Sequence, residues 1–392
     1  MHSYSYLNTS TSIISSYDGK LPLSPYLKQF FSQHKKYGSK DRRYISHLCY
    51  CYYRLGQALK DMDVADRIKA ALYLCEEEPK MWIDLFEDDW KDNWHKDLKE
   101  RIDFLSNKIP SFDGQDVFPF TDELSDRVEA HLFILSHFIQ PDVFLRIRPN
   151  KKEIVVRKLN DNHIGYKELS ASCIALPNGS KIDSIIELNK ESVVQDYSSQ
   201  RIAEFLSGLS FNSSKINVWD CCAASGGKSM LTFDTLQKPF NLIVSDIRSS
   251  ILHNLKQRFH QAGISQYHSF LADLSDSNFQ PIKTGFDLII CDVPCSGSGT
   301  WSRTPEQLFF FQKESIATYA ALQKKIANNA LKSLNKEGYF LYITCSVFKQ
   351  ENENMVDYIL QNTSFQLFKQ EVLIGYNVKA DSMFAALFKK ID

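Results

Sequence analysis

The sequence predicts an α/β fold in which a doubly wound, mainly parallel sheet follows an all-α domain and a small mixed α/β linker domain. Between Pro25 and Ile139, apolar residues recur at three- and four-residue spacing, which is typical of amphipathic helices. After Tyr197, short apolar segments of strand length alternate with segments of helical length, which is typical of a parallel sheet covered by helices. We therefore expect a helical domain at 1–140, a linker domain at 141–196 and a sheet domain at 197–392.

The best-defined helix of the first domain is predicted to open at Ser39, a good N-cap residue, and to stop at Gly56, a residue that favours the left-handed helix terminus. Asp41 lies in its first turn, where a negative charge is favourable. A second helix is predicted over 124–139. Between the two lies an acidic, Trp-rich segment at 75–103, for which we expect a solvated helix face with buried indoles.

The linker domain is predicted to contain short strands. Its segments VFLRIR (143–148) and EIVVRKL (153–159) are rich in β-branched residues and nearly alternate between apolar and polar. Pro149 and Asn150 separate them and indicate a turn. We therefore expect both segments to be strands.

Six strands are predicted for the sheet domain. Each is a short apolar run that leads into a turn or a helical stretch. They are NVWDC (217–221), LIVSD (242–246), the region around Phe270, FDLIICD (286–292), GYFLYIT (338–344) and MFAALFKK (383–390).

Length, charge and cysteine content exclude several classes of protein. The chain has 392 residues and a formal net charge of -1, so any nucleic-acid surface must be a local patch. Its nine cysteines show no zinc-ligand spacing, which disfavours a structural metal or a disulfide framework and favours reduced thiols in the cytoplasm. We find no secretion signal and no apolar run of membrane-spanning length, and therefore expect no membrane association. Nothing in the sequence indicates an obligate protein partner.

The turn after the first strand of the sheet, DCCAASGGKS, is the first candidate ligand site. Asp220 ends the strand and the Gly226-Gly227 pair opens the next helix, at the edge of an α/β sheet where ligands bind. A nucleoside triphosphate is disfavoured because Cys222 stands where a P-loop requires glycine, and a dinucleotide is disfavoured because the chain has no GxGxxG motif. Small residues let backbone amides approach a ligand carboxylate, and Lys228 adds positive charge. The turn by itself is equally consistent with a tight connection that binds nothing.

Two acidic residues at neighbouring strand ends favour an adenosine-containing ligand. Asp246 ends the second strand, where a carboxylate can accept hydrogen bonds from both hydroxyls of a ribose. Asp273 follows the third strand, close to the expected position of an adenine. A single aspartate at a strand end is usually a helix cap. Three along one edge, beside a glycine turn, indicate a ligand such as S-adenosylmethionine.

Two cysteines at adjacent strand exits are candidate nucleophiles. The fourth strand leads into DVPCSGSGTWSRTPE and the fifth into TCSVFKQENE, which places Asp292, Cys295 and Cys345 at the same sheet edge as the predicted ligand. A thiolate in such a position is exposed and stabilised by backbone dipoles. A free cysteine is more often a small buried apolar residue. We expect that role for Cys49, Cys51, Cys75, Cys173, Cys221 and Cys291.

These motifs together resemble those of the Nop/Sun family of RNA cytosine-5 methyltransferases, and most closely its bacterial ribosomal small-subunit branch. The coincidence of DxPCSGxG with TCS is specific to that family. The similar segments are VVQDYSSQ, DCCAASGGKS, SDI, ADLSD, DVPCSGSGTWSRTPE, YITCSVFKQENE and DSMFAALFKK. The stretch GSKDRRYISHLCYCYYRLG is similar to the start of the antitermination-factor-like helical domain of this branch. The implied fold is a Rossmann-like methyltransferase sheet that follows, along the chain, a helical, RNA-binding domain.

The resemblance implies a reaction and a role for each site residue. The implied activity is transfer of a methyl group from S-adenosylmethionine to carbon 5 of cytosine in RNA, through a covalent cysteine adduct. By position in the family's motifs, Cys345 is the nucleophile, Cys295 assists product release and Asp292 forms hydrogen bonds with the target base. DNA cytosine-5 methyltransferases instead use the cysteine of a Pro-Cys pair as the nucleophile. The residues alone therefore do not decide between Cys295 and Cys345. The implied cofactor-binding residues are Cys222, Ala223, Ala224, Ser225, Gly226, Gly227, Lys228, Asp246, Asp273 and Asp292.

Two positions depart from the family's pattern. Ser225 stands where the family usually has proline, which loosens the loop without removing a ligand group. Ser302 stands beside Arg303 where the pattern often shows two arginines, so one phosphate or base contact of the family is not expected from this position, while the thiols are unaffected.

Two clusters of basic residues are candidate RNA surfaces. Residues 141–160 contain six basic residues against two acidic ones, and residues 35–43 contain five against one. Such clusters are commonly only solvated faces. Beside the motifs above they favour a single-stranded or looped RNA, because the target base must leave its stack. The predicted RNA-binding residues are Arg146, Arg148, Lys151, Lys152 and Arg303.

Three alternatives to a ribosomal RNA methyltransferase remain open at this point. A transfer RNA substrate would use the same chemistry. A catalytically idle ribosome assembly factor would keep the fold without turnover, although the intact set of Asp292, Cys295 and Cys345 favours an enzyme. An amino-group methyltransferase would need an Asn/Asp-Pro-Pro-aromatic run after the fourth strand, where this chain has DVPC.

Overall fold

The structure, a computed structural model, describes residues 2–236 and 238–391. It divides into two compact units, of which unit 1 comprises Met1–Asp122, Glu129–Gln140 and Thr300–Lys313, and unit 2 comprises Glu123–Val128, Pro141–Gly299 and Glu314–Asp392.

The α-helices are α1 (His2–Ser16), α2 (Leu23–Gln33), α3 (Ser39–Arg54), α4 (Val64–Cys75), α5 (Asp88–Asp92), α6 (Leu98–Lys108), α7 (Ala130–Ser136), α8 (Lys152–Asp161), α9 (Tyr197–Arg201), α10 (Ala203–Leu206), α11 (Gly227–Thr235), α12 (Ser249–Ala262), α13 (Pro305–Phe310), α14 (Ser315–Leu331) and α15 (Glu353–Asn362). The strands are β1 (Val143–Ile147), β2 (Lys167–Ser170), β3 (Cys173–Leu176), β4 (Ser192–Val194), β5 (Ile216–Asp220), β6 (Phe240–Asp246), β7 (Tyr267–Leu271), β8 (Phe286–Asp292), β9 (Leu334–Thr344), β10 (Phe365–Leu373) and β11 (Met383–Lys390). Short 3-10 helices span Lys80–Leu85, Gly114–Val117, Thr121–Glu123, Ser298–Thr300 and Tyr376–Val378.

Unit 1 is helical, and α3 is its central element. The helix packs against α1 and α4 through a buried face that includes Leu48 and Cys51. Its C-terminal carbonyls are satisfied by the fully buried Arg67, which donates hydrogen bonds to the carbonyl oxygens of Tyr52 (2.6 Å) and Gly56 (2.9 Å). Gly56 has φ +53°, so it ends the helix in the left-handed conformation that the sequence predicts.

Two helical predictions need correction, and one helix of unit 1 was not predicted. The cap of α3 is Gly38, one residue before Ser39, and its amide donates a hydrogen bond to the carboxylate of Asp41 (2.9 Å). The predicted helix at 124–139 is shortened to α7, because the amide of Ser125 instead bonds within unit 2, to the carbonyl oxygen of Val347 (2.8 Å). The helix α1 was not predicted, since its Ser- and Thr-rich sequence has low helix propensity; its buried apolar face stabilises it. In the acidic segment, the Trp82 indole is buried, and Trp90 and Trp94 are partly buried.

The first part of unit 2 contains a small antiparallel sheet of order β2-β3-β1-β4. The predicted strand VFLRIR forms β1, but the prediction that EIVVRKL is a strand is wrong, because these residues lie in α8. Val155 and Leu159, four residues apart, share one helix face and are buried in a core with Leu145 of β1. Burial of this stripe overrides the modest helix penalty of β-branched residues.

The second part of unit 2 is a seven-stranded sheet of order β10-β11-β9-β8-β5-β6-β7. The strands from β9 to β7 are parallel, and β10 and β11 are antiparallel additions at one edge. One face packs against α11 and α12 and the other against α14 and α15. Along β5, Val218 is buried in the first of these cores and Trp219 in the second. The predicted doubly wound, mainly parallel sheet is confirmed.

Strand bounds follow the sequence closely where both faces are buried. The strands β8 and β11 have the predicted bounds, and β9 begins at Leu334 rather than at Gly338. The strand β10 was not predicted, because it is an edge strand whose first seven residues are partly or fully exposed. Since residues 141–196 lie within unit 2 and 300–313 within unit 1, the division into three domains at 140 and 196 stays a prediction.

Candidate active site

The carboxyl ends of β5, β6, β8 and β9 lie side by side at one edge of the seven-stranded sheet. Neighbouring parallel strands bring the residues that follow them together, which is why ligands bind at this edge in α/β proteins. The residues that the sequence predicted for the site follow these strands: Asp220, the loop 221–228, Asp246, Asp292, Cys295 and Cys345. Asp273 follows β7 at the far end of the row and is exposed.

The loop between β5 and α11 is held in a tight conformation by backbone hydrogen bonds. The amide of Ala223 donates to the carbonyl oxygen of Ser245 (2.9 Å), and the amide of Ala224 donates to the carboxylate of Asp246 (3.0 Å). Gly226 has φ +83°, and a Cβ atom there would lie 2.5 Å from the ring of Phe259. Only glycine fits at this position.

Next to this loop, the N-terminus of α11 offers an open cradle for a ligand. A Cβ atom built on Gly227 would meet no other heavy atom within 4 Å, so the space beside the first turn of α11 is free. The first amides of a helix carry partial positive charge and lack partners within the helix. A ligand carboxylate such as that of S-adenosylmethionine fits this donor set.

The carboxylate of Asp246 is buried and fully engaged. In addition to the amide of Ala224, it accepts hydrogen bonds from the backbone amide of Arg248 (2.9 Å) and from its guanidinium (3.0 Å). Burial alone would raise the pKa of Asp246, but the hydrogen bonds and charge of Arg248 lower it overall. A ribose at Asp246 would therefore displace the exposed Arg248 side chain.

Asp273 is engaged only locally. Its carboxylate accepts hydrogen bonds from the hydroxyl (2.6 Å) and amide (2.8 Å) of Ser275, and these bonds lower the pKa of Asp273. This is the turn-capping geometry of a strand-end aspartate.

The two predicted thiols are in contact. The Sγ atoms of Cys295 and Cys345 lie 3.2 Å apart, and the amide of Cys345 donates a hydrogen bond to Cys295 Sγ (3.3 Å). Both side chains are partly exposed, so a base can reach them. The side-chain hydrogen bond with Cys345, followed by burial, raises the pKa of Cys295 well above its usual value.

A partly buried ion pair lies at the same sheet edge as the thiols. Lys228 Nζ is 2.9 Å from Asp292 Oδ2. Burial by itself lowers the pKa of Lys228, but the attraction of Asp292, of a Cys345 thiolate and of Asp220 raises it overall. A fixed cation at this point stabilises negative charge on a thiolate or on a base.

Asp220 is fully buried behind the site. Its Oδ2 accepts a hydrogen bond from the hydroxyl of Ser229 (2.5 Å), whereas its Oδ1 has no hydrogen-bond partner among the described residues. Burial, with a smaller contribution from Asp292, raises the pKa of Asp220 to about 7. An isolated carboxyl in an apolar site prefers its neutral form.

Two site residues were missed by the sequence analysis. Glu351 is fully buried and forms hydrogen bonds with both thiol loops. Arg258 of α12 donates hydrogen bonds to the carbonyl oxygen (3.0 Å) and hydroxyl (2.6 Å) of Ser225. Glu351 belongs to the quoted motif YITCSVFKQENE, but nothing in the sequence indicates that its side chain points towards the thiol loops. No sequence motif marks Arg258 as a site residue.

The structure argues against two of the predicted RNA contacts. Arg146 is buried, and its guanidinium bonds to Asp234 and to Gln195 (2.7 Å). Arg148 forms an ion pair with the same Asp234 (2.8 Å) and also bonds to two backbone carbonyls. Both arginines are held by Asp234 of α11 and their side chains are almost entirely buried, so we remove them from the RNA surface.

The other predicted RNA contacts are more accessible. Lys151 and Lys152 are partly exposed, and Lys152 forms an ion pair with Glu168 (2.7 Å). Arg303 is partly exposed in a turn of unit 1, where its amide donates to the carbonyl oxygen of Thr300 (2.9 Å). These three positions stay predictions.

Unit 1 carries a basic groove between α2 and α3, which we call the α2–α3 groove. It has a volume of about 330 Å³, with an apolar floor that includes Leu27 and Phe31 and a rim formed by Lys28, Arg42 and Arg43. The three rim side chains are exposed. The predicted basic cluster at 35–43 therefore continues into a shaped cavity.

The described part of the chain contains neither a cluster of metal-ligating side chains nor a helix of membrane-spanning character. No group of three or more His, Cys, Asp or Glu side chains in residues 2–236 and 238–391 could hold a metal ion. None of the helices in these ranges has both the length and the apolar character needed to span a bilayer.

The chain is similar to known RNA methyltransferases. A family model described as 16S rRNA methyltransferase RsmB/F matches residues 209–386. The 28S rRNA (cytosine-C(5))-methyltransferase of Mus musculus is 29% identical over 154 residues, which are 38% of this chain and 19% of that protein. The probable ribosomal RNA small subunit methyltransferase B of Coxiella burnetii is 27% identical over 274 residues, which are 67% of this chain and 63% of that protein. The chain thus spans less than two thirds of the length of these curated relatives.

A solved structure shares the fold over nearly the whole chain. The crystal structure of PH0851 superposes with a TM-score of 0.65 and 17% sequence identity, and covers 94% of each chain. At that identity the similarity concerns the architecture alone.

Proposed function

We propose that this chain, whose residues 209–386 match the family model described as 16S rRNA methyltransferase RsmB/F, transfers a methyl group from S-adenosylmethionine to carbon 5 of a cytosine in ribosomal RNA. The observation that carries the proposal is the contact between Cys295 and Cys345, 3.2 Å apart, beside the Lys228–Asp292 ion pair. Carbon 5 of cytosine is a poor nucleophile, and a thiolate that adds to carbon 6 makes it reactive. A thiol pair next to a cation and a carboxylate suits that chemistry.

The proposed roles of the residues follow from their positions. The Cys345 sulfur forms a covalent bond to carbon 6 of the base, and Asp292 accepts a hydrogen bond from the amino group of the base. Lys228 holds the Asp292 carboxylate in place and stabilises the negative charge that develops on the ring. Cys295 donates its proton towards Cys345 as that sulfur leaves, which assists product release.

The cofactor residues in this proposal are those of the β5–α11 loop together with Asp246, Asp273 and Asp292. S-adenosylmethionine, when bound, supplies a methyl group activated by its sulfonium. The amides at the start of α11 hold its carboxylate, Asp246 holds its ribose after Arg248 moves aside, and Asp273 lies near its adenine. Cys222 and Ala223 to Lys228 form the wall of the pocket.

The proposed substrate is a single-stranded or looped segment of small-subunit ribosomal RNA. The relative named for the small subunit covers 67% of this chain, whereas the relative named for 28S RNA covers 38%. The target base leaves its stack to reach Cys345, while Lys151, Lys152, Arg303 and the rim of the α2–α3 groove contact phosphates. We place the reaction in the cytoplasm, because reactive thiols stay reduced there.

Covalent trapping tests the proposal directly. The Cys295→Ala variant, incubated with the RNA and S-adenosylmethionine, is expected to accumulate a protein–RNA adduct that survives denaturing electrophoresis, because the adduct cannot be released. The Cys345→Ala variant is expected to form no adduct and to lose methyl transfer by about 10⁴-fold or more. Cys75→Ala, a partly exposed cysteine of unit 1, is the matched control and keeps activity.

The outcomes separate the proposed enzyme from its competitors. Absence of both adduct and labelled methyl transfer, with RNA binding retained, would leave an idle assembly factor. An adduct that forms with transfer RNA but not with ribosomal RNA would change the substrate. Bisulfite sequencing of RNA from cells with and without the protein then identifies the modified cytosine.

A further inference from the structure

The sulfurs of Cys295 and Cys345 are close enough to bond to each other. Their Sγ atoms lie 3.2 Å apart, and Cys295 Sγ also accepts a hydrogen bond from the amide of Cys345 (3.3 Å). One sulfur thus lies against the backbone of the residue that carries the other. The S–S distance of a disulfide is about 2.0 Å, so the sulfurs have to approach by about 1 Å. Rotation of the two side chains covers a shift of that size.

We propose that Cys295 and Cys345 are the site of a reversible oxidative modification: a peroxide converts the pair into a disulfide, and a thiol reductant restores both thiols. The cross-link is a property of the protein alone. Its effect on methyl transfer rests on the proposed function, because the Cys345 sulfur cannot bond to a base while it is bonded to Cys295. The modification therefore switches the proposed activity off and on.

Hydrogen bonds hold the two loops at a fixed separation. The amide of Gly299 donates to the carbonyl oxygen of Cys345 (2.9 Å), and the amide of Val347 donates to the hydroxyl of Ser298 (2.9 Å). The carboxylate of Glu351 adds a bond to each loop. Since the sulfurs are brought together before they react, forming the disulfide loses little conformational entropy and is favoured over a reaction between separate thiols.

Exposure distinguishes this pair from the other cysteines. Of the nine cysteines, all within the described residues, four are partly exposed: Cys75, Cys222, Cys295 and Cys345. Cys75 and Cys222 also have thiol neighbours, but those neighbours are buried. Susceptibility to oxidation follows the exposure of the sulfur. In the pair of Cys295 and Cys345, an oxidant can reach either sulfur.

The reaction balances with hydrogen peroxide as the oxidant. One sulfur, as a thiolate, attacks an oxygen atom of the peroxide, and the O–O bond breaks to give a sulfenic acid and hydroxide. The second sulfur attacks the sulfenic sulfur, the S–S bond forms, and the hydroxyl group leaves as water. In sum, two thiols lose two electrons and two protons, and hydrogen peroxide becomes two molecules of water. A dithiol returns the electrons and protons by thiol–disulfide exchange.

The second sulfur also protects the first from permanent damage. A sulfenic acid without a nearby thiol is oxidised further to sulfinic acid, which thiol reductants do not reverse. At Cys295 and Cys345 the partner sulfur lies 3.2 Å away and intercepts the sulfenic acid. Loss of either cysteine is therefore expected to turn a reversible oxidation of the other into an irreversible one.

Peroxide treatment of the full chain, without RNA or cofactor, tests the proposal. After a small molar excess of hydrogen peroxide, free thiols are blocked with iodoacetamide and the peptides are separated without reductant. Mass spectrometry is expected to show a peptide that joins Cys295 to Cys345, lighter by two hydrogen atoms than the two free peptides together. It is expected to form before Cys75 is oxidised in the same sample. Methyl transfer to RNA should fall in proportion to the cross-linked fraction, and dithiothreitol should restore it.

Three variants separate the pair from general thiol oxidation. In Cys295→Ala, Cys345 is expected to gain two or three oxygen atoms that dithiothreitol does not remove. Cys345→Ala should show the same at Cys295, so either folded variant is sufficient. Cys75→Ala removes a partly exposed thiol of unit 1 and should form the disulfide and recover activity as the wild type does.

The outcomes are distinct. The proposal is overturned if wild-type Cys295 or Cys345 proceeds to sulfinic acid without a cross-link, if the cross-link forms through Cys222 instead, or if Cys75 is oxidised first. If the disulfide forms and is reversed as expected, but the reduced protein transfers no methyl group or the cross-linked protein still transfers it, the proposed function or its assigned nucleophile fails while the modification site stands.

Discussion

Arg258 holds Ser225 by two hydrogen bonds, one to the carbonyl oxygen at 3.0 Å and one to the hydroxyl at 2.6 Å. It also reaches the side-chain oxygen of Asn189 (3.2 Å). In the family that this chain resembles, proline is usual at the position of Ser225, and its ring stiffens the loop covalently. Here a side chain from α12 restrains the same loop through hydrogen bonds.

Loss of this restraint is expected to weaken cofactor binding. In Arg258→Met the loop at 223–227 gains mobility that cofactor binding must remove, so the Kd for S-adenosylmethionine should rise about 5- to 20-fold, or about 1–2 kcal/mol. The rate at saturating cofactor should change little, because no reacting atom is touched. Isothermal titration calorimetry gives the Kd, and Lys256→Met, an exposed substitution on the same helix, is the control. An unchanged Kd would mean that the loop is rigid without Arg258.

Unlike the loss of Arg258, the loss of Arg248 is not expected to weaken cofactor binding. Because Arg248 occupies the carboxylate that is proposed to bind the ribose, Arg248→Ala should leave cofactor affinity unchanged or increase it by a few-fold. Asp246→Asn should weaken binding by about 10-fold or more, since it removes the charged acceptor. Equilibrium binding of both variants checks the pair. A marked loss of affinity in Arg248→Ala would show that the arginine contacts the cofactor instead of yielding to it.

The ion pair of Lys228 and Asp292 is expected to act as one unit in catalysis. Lys228→Met and Asp292→Asn should each lower single-turnover methyl transfer by about 10²- to 10⁴-fold. The double variant should be little worse than the more damaged single variant, because each partner loses its function when the other is gone. Rapid-quench measurement of labelled methyl transfer gives the three rates. Fully additive losses would mean that the two side chains act independently.

The sequence predicted the sheet domain well because its strands are short apolar runs buried on both faces, as β8 and β11 are. The same reasoning placed Asp292, Cys295 and Cys345 at one sheet edge, and the structure brings the two sulfurs into contact. It failed for α8, because β-branched residues predicted a strand while the spacing of Val155 and Leu159 matched a helix.

Other features depend on contacts between residues far apart in the chain. Charge counting treated Arg146 as a surface residue, yet Asp234, 88 positions later, pairs with it in the interior. Arg258 and Ser225 are 33 positions apart, and Glu351 and Ser296 are 55 apart. A single sequence holds no local signal for such pairs, since each partner alone is an ordinary polar residue.

The α2–α3 groove leads to a prediction about RNA affinity. Replacing Lys28, Arg42 and Arg43 with Gln removes three exposed charges and should weaken RNA binding. The slope of log K against log salt should become shallower by about 2, as three lost phosphate contacts on a single strand predict. Fluorescence anisotropy at several salt concentrations measures both. Replacing Lys91, Lys96 and Lys99 of the acidic segment with Gln is the control for net charge. An equal loss of RNA affinity in that control would show that the groove acts only through nonspecific electrostatic attraction.

The buried Asp220 leads to a prediction about stability and pH. Burial raises the pKa of Asp220 to about 7, above the ordinary value of 3.8. Below pH 4 the carboxyl is neutral in both the folded and unfolded chain, so it costs no stability there. Between about pH 4 and pH 7 the unfolded chain loses this proton and the folded chain keeps it, so stability falls as the pH rises.

Asp220→Asn should remove this dependence because an amide does not titrate and can still accept the hydrogen bond from Ser229. Relative to the wild type, the variant should gain stability between pH 4 and pH 7, by up to about 4 kcal/mol, with no further gain at higher pH. Urea unfolding at pH 5, 6, 7 and 8 measures the difference. Asp273→Asn is the matched control, since that carboxylate is exposed and Ser275 lowers its pKa, so no gain with rising pH is expected. A difference between Asp220→Asn and the wild type that stays constant over this range would mean that Asp220 is ionised in the folded chain and that its Oδ1 has found a donor.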